Sequence, residues 1–152
     1  LVVTPVELLL AADVDARIRD LGAAAYPNEG CGVLIGRVAG GTAQVVEATS
    51  GRNLNTERSR DRYLLDPADI VRADRDARAR GLDVLGYWHS HPDHPARPSQ
   101  FDTDHAWLDY VYIIVTTTAS GAGDLNGFTL AGEGGPFDQL PLTIDASLGT
   151  AG

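Results

Sequence analysis

The chain has 152 residues, 43% of them hydrophobic, with a formal net charge of −9. This length suits one domain with a real hydrophobic core, spanning residues 1–152. The acidic balance disfavours nucleic acid, whose phosphate backbone needs a basic face. All twelve cations are Arg and Lys is absent, so no side chain here can carry an isopeptide-linked partner. No apolar run approaches a membrane span. The start, Leu1-Val2-Val3-Thr4-Pro5, lacks the basic segment and cleavage site of a secretion signal, which makes the cytoplasm the expected setting. The single Cys31 excludes an internal disulfide and a multi-cysteine zinc site, so any metal must rest on His and carboxylate.

Residues 1–12 are apolar and read as an edge strand or the approach to a helix. Val14, Ile18, Leu21 and Ala25 follow helical spacing, with Asp13 placed to cap the start, Gly22 as a weak point and Pro27 as the stop. Cys31 to Gly36 reads as a buried strand. Gly40-Gly41 is a hairpin turn into a strand from Gln44 to Thr49, and residues 50–60 form a polar loop. Tyr63-Leu64-Leu65 predicts a short strand. Asp66-Pro67 predicts an N-cap with proline at the first helical position, and the helix runs to about Gly81. Its Asp74–Arg78 and Asp76–Arg80 pairs are four apart on a solvated face.

The next predicted strand, Leu82 to His91, has apolar residues on both faces, with Leu85 and Tyr87 on one and Val84 and Trp88 on the other. It should be covered on both sides. Pro92 to Pro98 is a loop, Ser99 to about Asp109 a helix, and Val111 to Val115 a second central strand. Leu125 to Ala131 is another strand, 132–136 a Gly-rich turn, and Gln139 to Ile144 a final short strand. Helices interleaved with strands point to an α/β layered domain.

His89-Ser90-His91-Pro92, with Ser99 and Asp102, carries the chemistry. Side chains two apart in a strand face the same side, so both imidazoles approach one point. Pro92 ends the strand and leaves that point at a sheet edge, and Asp102, in the first helical turn, can face back toward it. Two His and one carboxylate leave a metal position open, as catalytic zinc sites do. Ser99-x-x-Asp102 is also a capping-box-like pattern, and the two readings are compatible. Glu29 taken alone reads as a surface glutamate in a helix–strand turn, and Cys31 as a core residue. His94 between prolines reads as exposed, His105 as packed or exposed, and Asp104 as facing away from the ligands.

His-Ser-His-Pro, six residues, Ser, two residues, Asp resembles the JAMM signature of MPN-domain metalloproteases. Upstream, Tyr26-Pro27-Asn28-Glu29-Gly30-Cys31-Gly32 resembles the Tyr-Pro-x-Glu-x-Cys-Gly that bacterial members show. Asn53 ahead of Tyr63-Leu-Leu-Asp-Pro67, and Trp88 before the histidines, agree more loosely. The resemblance covers roughly residues 6–144.

It implies an MPN-type α/β domain with a curved mixed β-sheet flanked by helices. His89, His91 and Asp102 would bind Zn²⁺, Glu29 would be the general acid/base, and Ser99 would steady the oxyanion. The implied activity is a zinc metallopeptidase cutting an amide or isopeptide bond at the tail of a ubiquitin-like protein. By family likeness the partner is a sulfur carrier or similar protein with an extended Gly-Gly tail. A non-catalytic MPN scaffold, or a peptidase of unrelated peptides, is the alternative. Ser90, where the DNA-repair branch tends to have Asn, and the acidic balance argue against that branch.

Overall fold

In chain order the elements are β1 (Glu7–Ala11), α1 (Ala12–Ala25), β2 (Cys31–Ala39), β3 (Thr42–Ala48), α2 (Pro67–Ala79), β4 (Asp83–Pro92), α3 (Gln100–His105), β5 (Val111–Thr118), β6 (Gly121–Leu130), β7 (Phe137–Leu140) and β8 (Leu142–Asp145). They belong to a computed structural model that describes residues 4–148. The strands form one mixed sheet in the order β7-β6-β5-β4-β2-β3-β1-β8. Leu1 to Val3, part of the first predicted segment, lie outside the described residues. The rest of that segment is β1, an interior strand parallel to both β3 and β8 rather than an edge.

The sheet is strongly curved. β7 and β8 are separated only by Pro141, yet they occupy opposite ends of the strand order. The single strand predicted from Gln139 to Ile144 is therefore two, broken where Pro141 has no N–H for a ladder. Its carbonyl instead accepts from Leu8 N at 2.9 Å. The ends of the sheet nearly meet: a Cβ on Gly127 of β6 would stand 2.1 Å from Leu8 Cδ1 of β1.

Gly40 and Gly41, at φ of 58° and 83°, supply the two left-handed residues of a tight hairpin whose twist matches β2 and β3. β4 lies antiparallel to β2 and parallel to β5, and is covered on both faces as its sequence predicts. On one face α1 sends Val14 and Ile18 into a core with Leu10, Trp88 and Val115. On the other α2 packs Ala73 and Ala77 against Val33, Ile35 and Leu65.

The alternation predicted along β4 fails at Leu85. Leu34 faces Gly86 but Ile35 faces Val84, so Leu85 is the extra residue of a β-bulge. Leu85 then joins Trp88 on the α1 side, while Val84 and Tyr87 pack on the α2 side. Beyond the bulge alternation resumes, which sends His89 and His91 to the face opposite Trp88.

Gly22, a weak point by helix propensity, is a packing requirement. A Cβ there would lie 3.2 Å from Val115 Cγ1 and 3.3 Å from Ser90 Cβ, so glycine lets α1 approach β4 and β5 closely. α1 begins after Ala11 with no side-chain cap, and Asp13 sits one position inside, where its charge suits the helix dipole. α2 has the predicted cap: Asp66 accepts from Ala68 N at 2.9 Å. Its surface pairs, Arg78–Asp74 at 3.1 Å and Arg80–Asp76 at 2.8 Å, are exposed and contribute little.

Tyr63-Leu64-Leu65 is not a strand; it makes one isolated bridge, Leu65 to Asn53. α3 is shorter than predicted and stops at His105, ahead of Asp109 at φ 70°. Among the described residues no helix is long and apolar enough to cross a membrane.

Candidate functional site

β4 delivers His89 and His91 to its C-terminal end, and the start of α3 delivers Asp102 opposite them. His89 Nε2 and His91 Nε2 are 3.1 Å apart, and each lies 3.2 and 3.0 Å, respectively, from Asp102 Oδ2. These three residues form a group able to hold one metal ion. His91 Nδ1 lies 3.0 Å from Pro95 O. A carbonyl only accepts, so Nδ1 carries a proton and the ring turns Nε2 toward Asp102. In the neutral form of that tautomer the Nε2 lone pair is available to a metal ion. A tetrahedral zinc site places neighbouring ligand atoms about 3.3 Å apart, so the trio fits such an ion closely.

Electrostatics favour the same donor set. Burial holds the His89 imidazole below its usual value, and only partly does Asp102 oppose this, so the ring stays neutral. Burial alone would raise the Asp102 carboxyl. His89, His91 and the Ser99 N–H outweigh it and hold Asp102 well below the usual carboxylate range.

Asp102 is fixed by a capping box. Its amide donates to Ser99 Oγ at 3.1 Å, and its Oδ2 accepts from Ser99 N at 2.9 Å. The cap and the ligand readings of Ser99-x-x-Asp102 therefore coexist. Ser99 is exposed, and with its oxygen accepting from Asp102 its O–H is free to donate outward.

Glu29 is the largest departure from its reading in isolation. It is buried, at 4% exposure, and its Oε1 has no hydrogen-bond partner. Burial first, then the Asp102 and Asp61 carboxylates, push its carboxyl up to about 9. The backbone explains its place beside the ligands. Gly30 N donates to Ser90 Oγ at 2.8 Å, and Ser90 N donates to Gly30 O at 3.0 Å. Ser90, between the two histidines, thus clamps the turn carrying Glu29 onto the ligand strand. Cys31 then faces His89 across β2 and β4, its buried thiol pushed up to about 12 by burial, which suits packing.

Three contributors were not legible as site residues. Ser90 shows only as a motif letter. Tyr63 stacks on His89, ring centroids 4.5 Å apart, and fixes the imidazole plane. Asn53 ties the segments together: its amide donates to Glu29 O and Arg62 O, and its Oδ1 accepts from Asn55 N and Leu64 N. The spacing of Asn53 before Tyr63 was the only signal in the sequence.

The outlying polar groups stay outside. His94 is exposed, Asp104 is engaged by Gln100, and His105 stacks on Phe101 at 4.0 Å. The ligands also do not lie at a sheet edge. β4 is paired on both sides, so Pro92 opens the site at a strand end in the middle of the sheet. Two cavities flank it. One, of about 390 Å³, is apolar and touches His89 and Asp102, with Tyr63, Phe101, Trp107 and Phe137 in its walls. The other, of about 380 Å³, is charged and lies between residues 57–61 and the turn after Pro92.

Comparison with known proteins agrees with this geometry. The model of prokaryotic homologs of the JAB domain matches residues 11–129. A desampylase from Haloferax volcanii is 36% identical over 147 residues, covering 93% of this chain and 99% of that one. A solution structure from Desulfitobacterium hafniense superposes with a TM-score of 0.80 at 28% identity, over 93% of this chain and 94% of that one. Another, from Salinibacter ruber, gives 0.71 at 34% identity over 91% and 92%. The chain belongs to the JAMM/MPN family, among the prokaryotic homologs of the JAB domain.

Proposed function

We propose that this chain is a zinc-dependent peptidase that hydrolyses an amide or isopeptide bond at the C-terminal tail of a ubiquitin-like or sulfur-carrier protein. One observation carries the reading: a cation-seeking trio, His89, His91 and Asp102, stands beside the buried, unpartnered carboxyl of Glu29. The similarity to a desampylase supports a hydrolase of ubiquitin-like conjugates.

The two imidazole Nε2 atoms and the Asp102 carboxylate would hold the ion. Zinc held there would supply a water nucleophile at neutral pH and polarise the scissile carbonyl. Glu29 takes a proton from the attacking water and gives it to the leaving nitrogen. Its burial equips it to hold that proton, and a dication held nearby would favour its ionised form. Ser99 offers its O–H to the oxyanion as charge develops there. Ser90 and Asn53 hold the Glu29 turn in register with the ligand strand. Because β4 has no free edge, the tail lies in the apolar cavity beside His89 and Asp102. Glycine at the cut lets the substrate backbone come close.

The test is mass spectrometry of ubiquitin-like sulfur carriers extended beyond Gly-Gly, incubated with the zinc-loaded chain with and without chelator. Chelator-sensitive cleavage after Gly-Gly is the expected result. Stable zinc binding with no cleavage of any of them would favour the scaffold.

A further inference from the structure

The two imidazoles that would hold the ion are supported differently. A histidine that ligates a metal normally donates its other ring N–H to a carbonyl, a carboxylate or water, and that bond sets the orientation of the ring. His91 follows the rule, with Nδ1 3.0 Å from Pro95 O. His89 does not. It is buried at 1% exposure, and its Nδ1 has no hydrogen-bond partner. Its cross-strand neighbour on β2 is Cys31, whose thiol is at most a weak acceptor. The plane of an imidazole turns on χ2, a soft torsion, so a ring without that bond needs another support.

Tyr63 is in contact with it. The two rings stack with centroids 4.5 Å apart and planes 25° apart, so the phenol ring lies along the imidazole face. Tyr63 is itself held from both sides by one side chain. Asn53 Nδ2 donates to Arg62 O at 3.2 Å, and Asn53 Oδ1 accepts from Leu64 N at 3.0 Å. These belong to the two peptide groups that flank Tyr63. Leu65 then makes the isolated bridge back to Asn53. Asn53 Nδ2 also donates to Glu29 O at 3.3 Å. One amide side chain thus fixes both the residue stacked on His89 and the turn of the proton carrier.

Lining the apolar cavity does not by itself explain this arrangement. Other aromatic residues of that wall make their ring contacts elsewhere: Tyr87 packs on Tyr110 and Tyr112, and Phe101 on His105. Among the described residues only Tyr63 stacks an aromatic side chain of the wall on a ligand imidazole. It does so on the imidazole that lacks a hydrogen bond to orient it.

We propose that Tyr63 is the positioning residue for His89: its ring takes the place of the missing hydrogen bond at Nδ1, and Asn53 keeps the ring there. The support acts through the ring face, so the Tyr63 hydroxyl is not needed for it. Tyr63 and Asn53 then set the geometry of the metal centre although neither is a ligand. This assignment rests on the reading of His89 as a zinc ligand and does not depend on which tail is cut.

The experiment measures the zinc affinity of the full chain by competition with a chromophoric chelator, and the visible spectrum of the chain loaded with Co²⁺ instead of zinc. Neither readout needs turnover. Tyr63→Phe should match the unmodified chain in both. Tyr63→Leu, which fills the space without a ring, should bind zinc about 10–100-fold more weakly, the range for losing a group that orients a ligand imidazole, and should shift the cobalt bands. Tyr87→Leu, which removes a ring from the same cavity, should leave zinc affinity intact. Asn53→Ala should weaken zinc binding less than Tyr63→Leu and add little to it in the double variant, because both act through one contact. Urea unfolding of the metal-free chains checks that each variant is folded, and Tyr63→Met replaces the leucine variant if that one is not. A folded Tyr63→Leu or Tyr63→Met chain with unchanged zinc affinity and cobalt bands would overturn the assignment. So would a loss shared by Tyr63→Phe or by Tyr87→Leu. Full additivity in the double variant would overturn the part given to Asn53. Failure of the unmodified chain to bind zinc would overturn the metal reading and this assignment with it, whereas zinc binding without cleavage of any tail would overturn the hydrolase alone.

Discussion

The two faces of β4 beyond its bulge are made from alternating residues of one short run, and they behave oppositely. On the α1 side Trp88 is buried in an aliphatic core, and its indole N–H donates to Thr49 O at 2.9 Å. Ser90 on that face is fully buried, and its hydroxyl oxygen and amide are both used by Gly30. On the other face the Nε2 atoms of His89 and His91 converge on the Asp102 carboxylate, His89 Nδ1 has no partner, and Glu29 is buried with an oxygen unpaired. Buried polar groups are normally satisfied, so the face that leaves them unsatisfied is the one prepared for a ligand. The satisfied face supplies the rigidity that keeps the other in place.

Substitutions on the two faces should therefore fail in different ways. The largest effect is on the open face. His89→Ala or Asp102→Ala should lose stoichiometric zinc by elemental analysis, with activity falling to background. Retained zinc would break the site assignment. Glu29→Gln should keep the zinc and lose about 10²–10⁴-fold in turnover, the range of acid–base catalysis. Trp88→Ala, on the satisfied face, should cost about 3–5 kcal/mol in denaturant unfolding, a core-cavity effect, with zinc still bound by whatever protein remains folded. Ser99→Ala spans both roles. Turnover should drop, and loss of the cap should cost about 1 kcal/mol, so rate and stability must be measured together.

A separate effect is a pH slope in the metal-free chain. The Glu29 carboxyl sits near 9 when folded, above its ordinary 4.5. The folded state therefore holds a proton that the unfolded chain has released, and stability falls as pH rises between those two values. Glu29→Gln should flatten this part of the pH–stability curve. A slope unchanged by the substitution would mean that the carboxyl is not buried as described.

Much of the site could be read from the sequence because its chemistry is local. His89 and His91 share a strand end, and Ser99 and Asp102 share a helix start, so short-range periodicity and capping rules bring each pair together. The fold class was legible from alternating helical and strand patterns. What escaped depends on long-range packing. The bulge at Leu85 comes from pairing with β2, which no pattern within β4 reveals. Pro141 splits the last strand because the sheet curls until its ends meet. Glu29 looked like a surface residue because its burial is imposed from elsewhere, by Ser90, Ser59 and Asn53.

The central claim is that the unsatisfied face of β4 is a zinc hydrolase centre with Glu29 as its proton carrier. The most direct measurement loads the unmodified chain and Glu29→Gln to equal zinc content and follows tail release from a Gly-Gly-extended ubiquitin-like substrate by mass spectrometry. The account predicts chelator-sensitive cleavage by the unmodified chain and none above background by the variant. Equal cleavage by the two, at equal zinc, would contradict it.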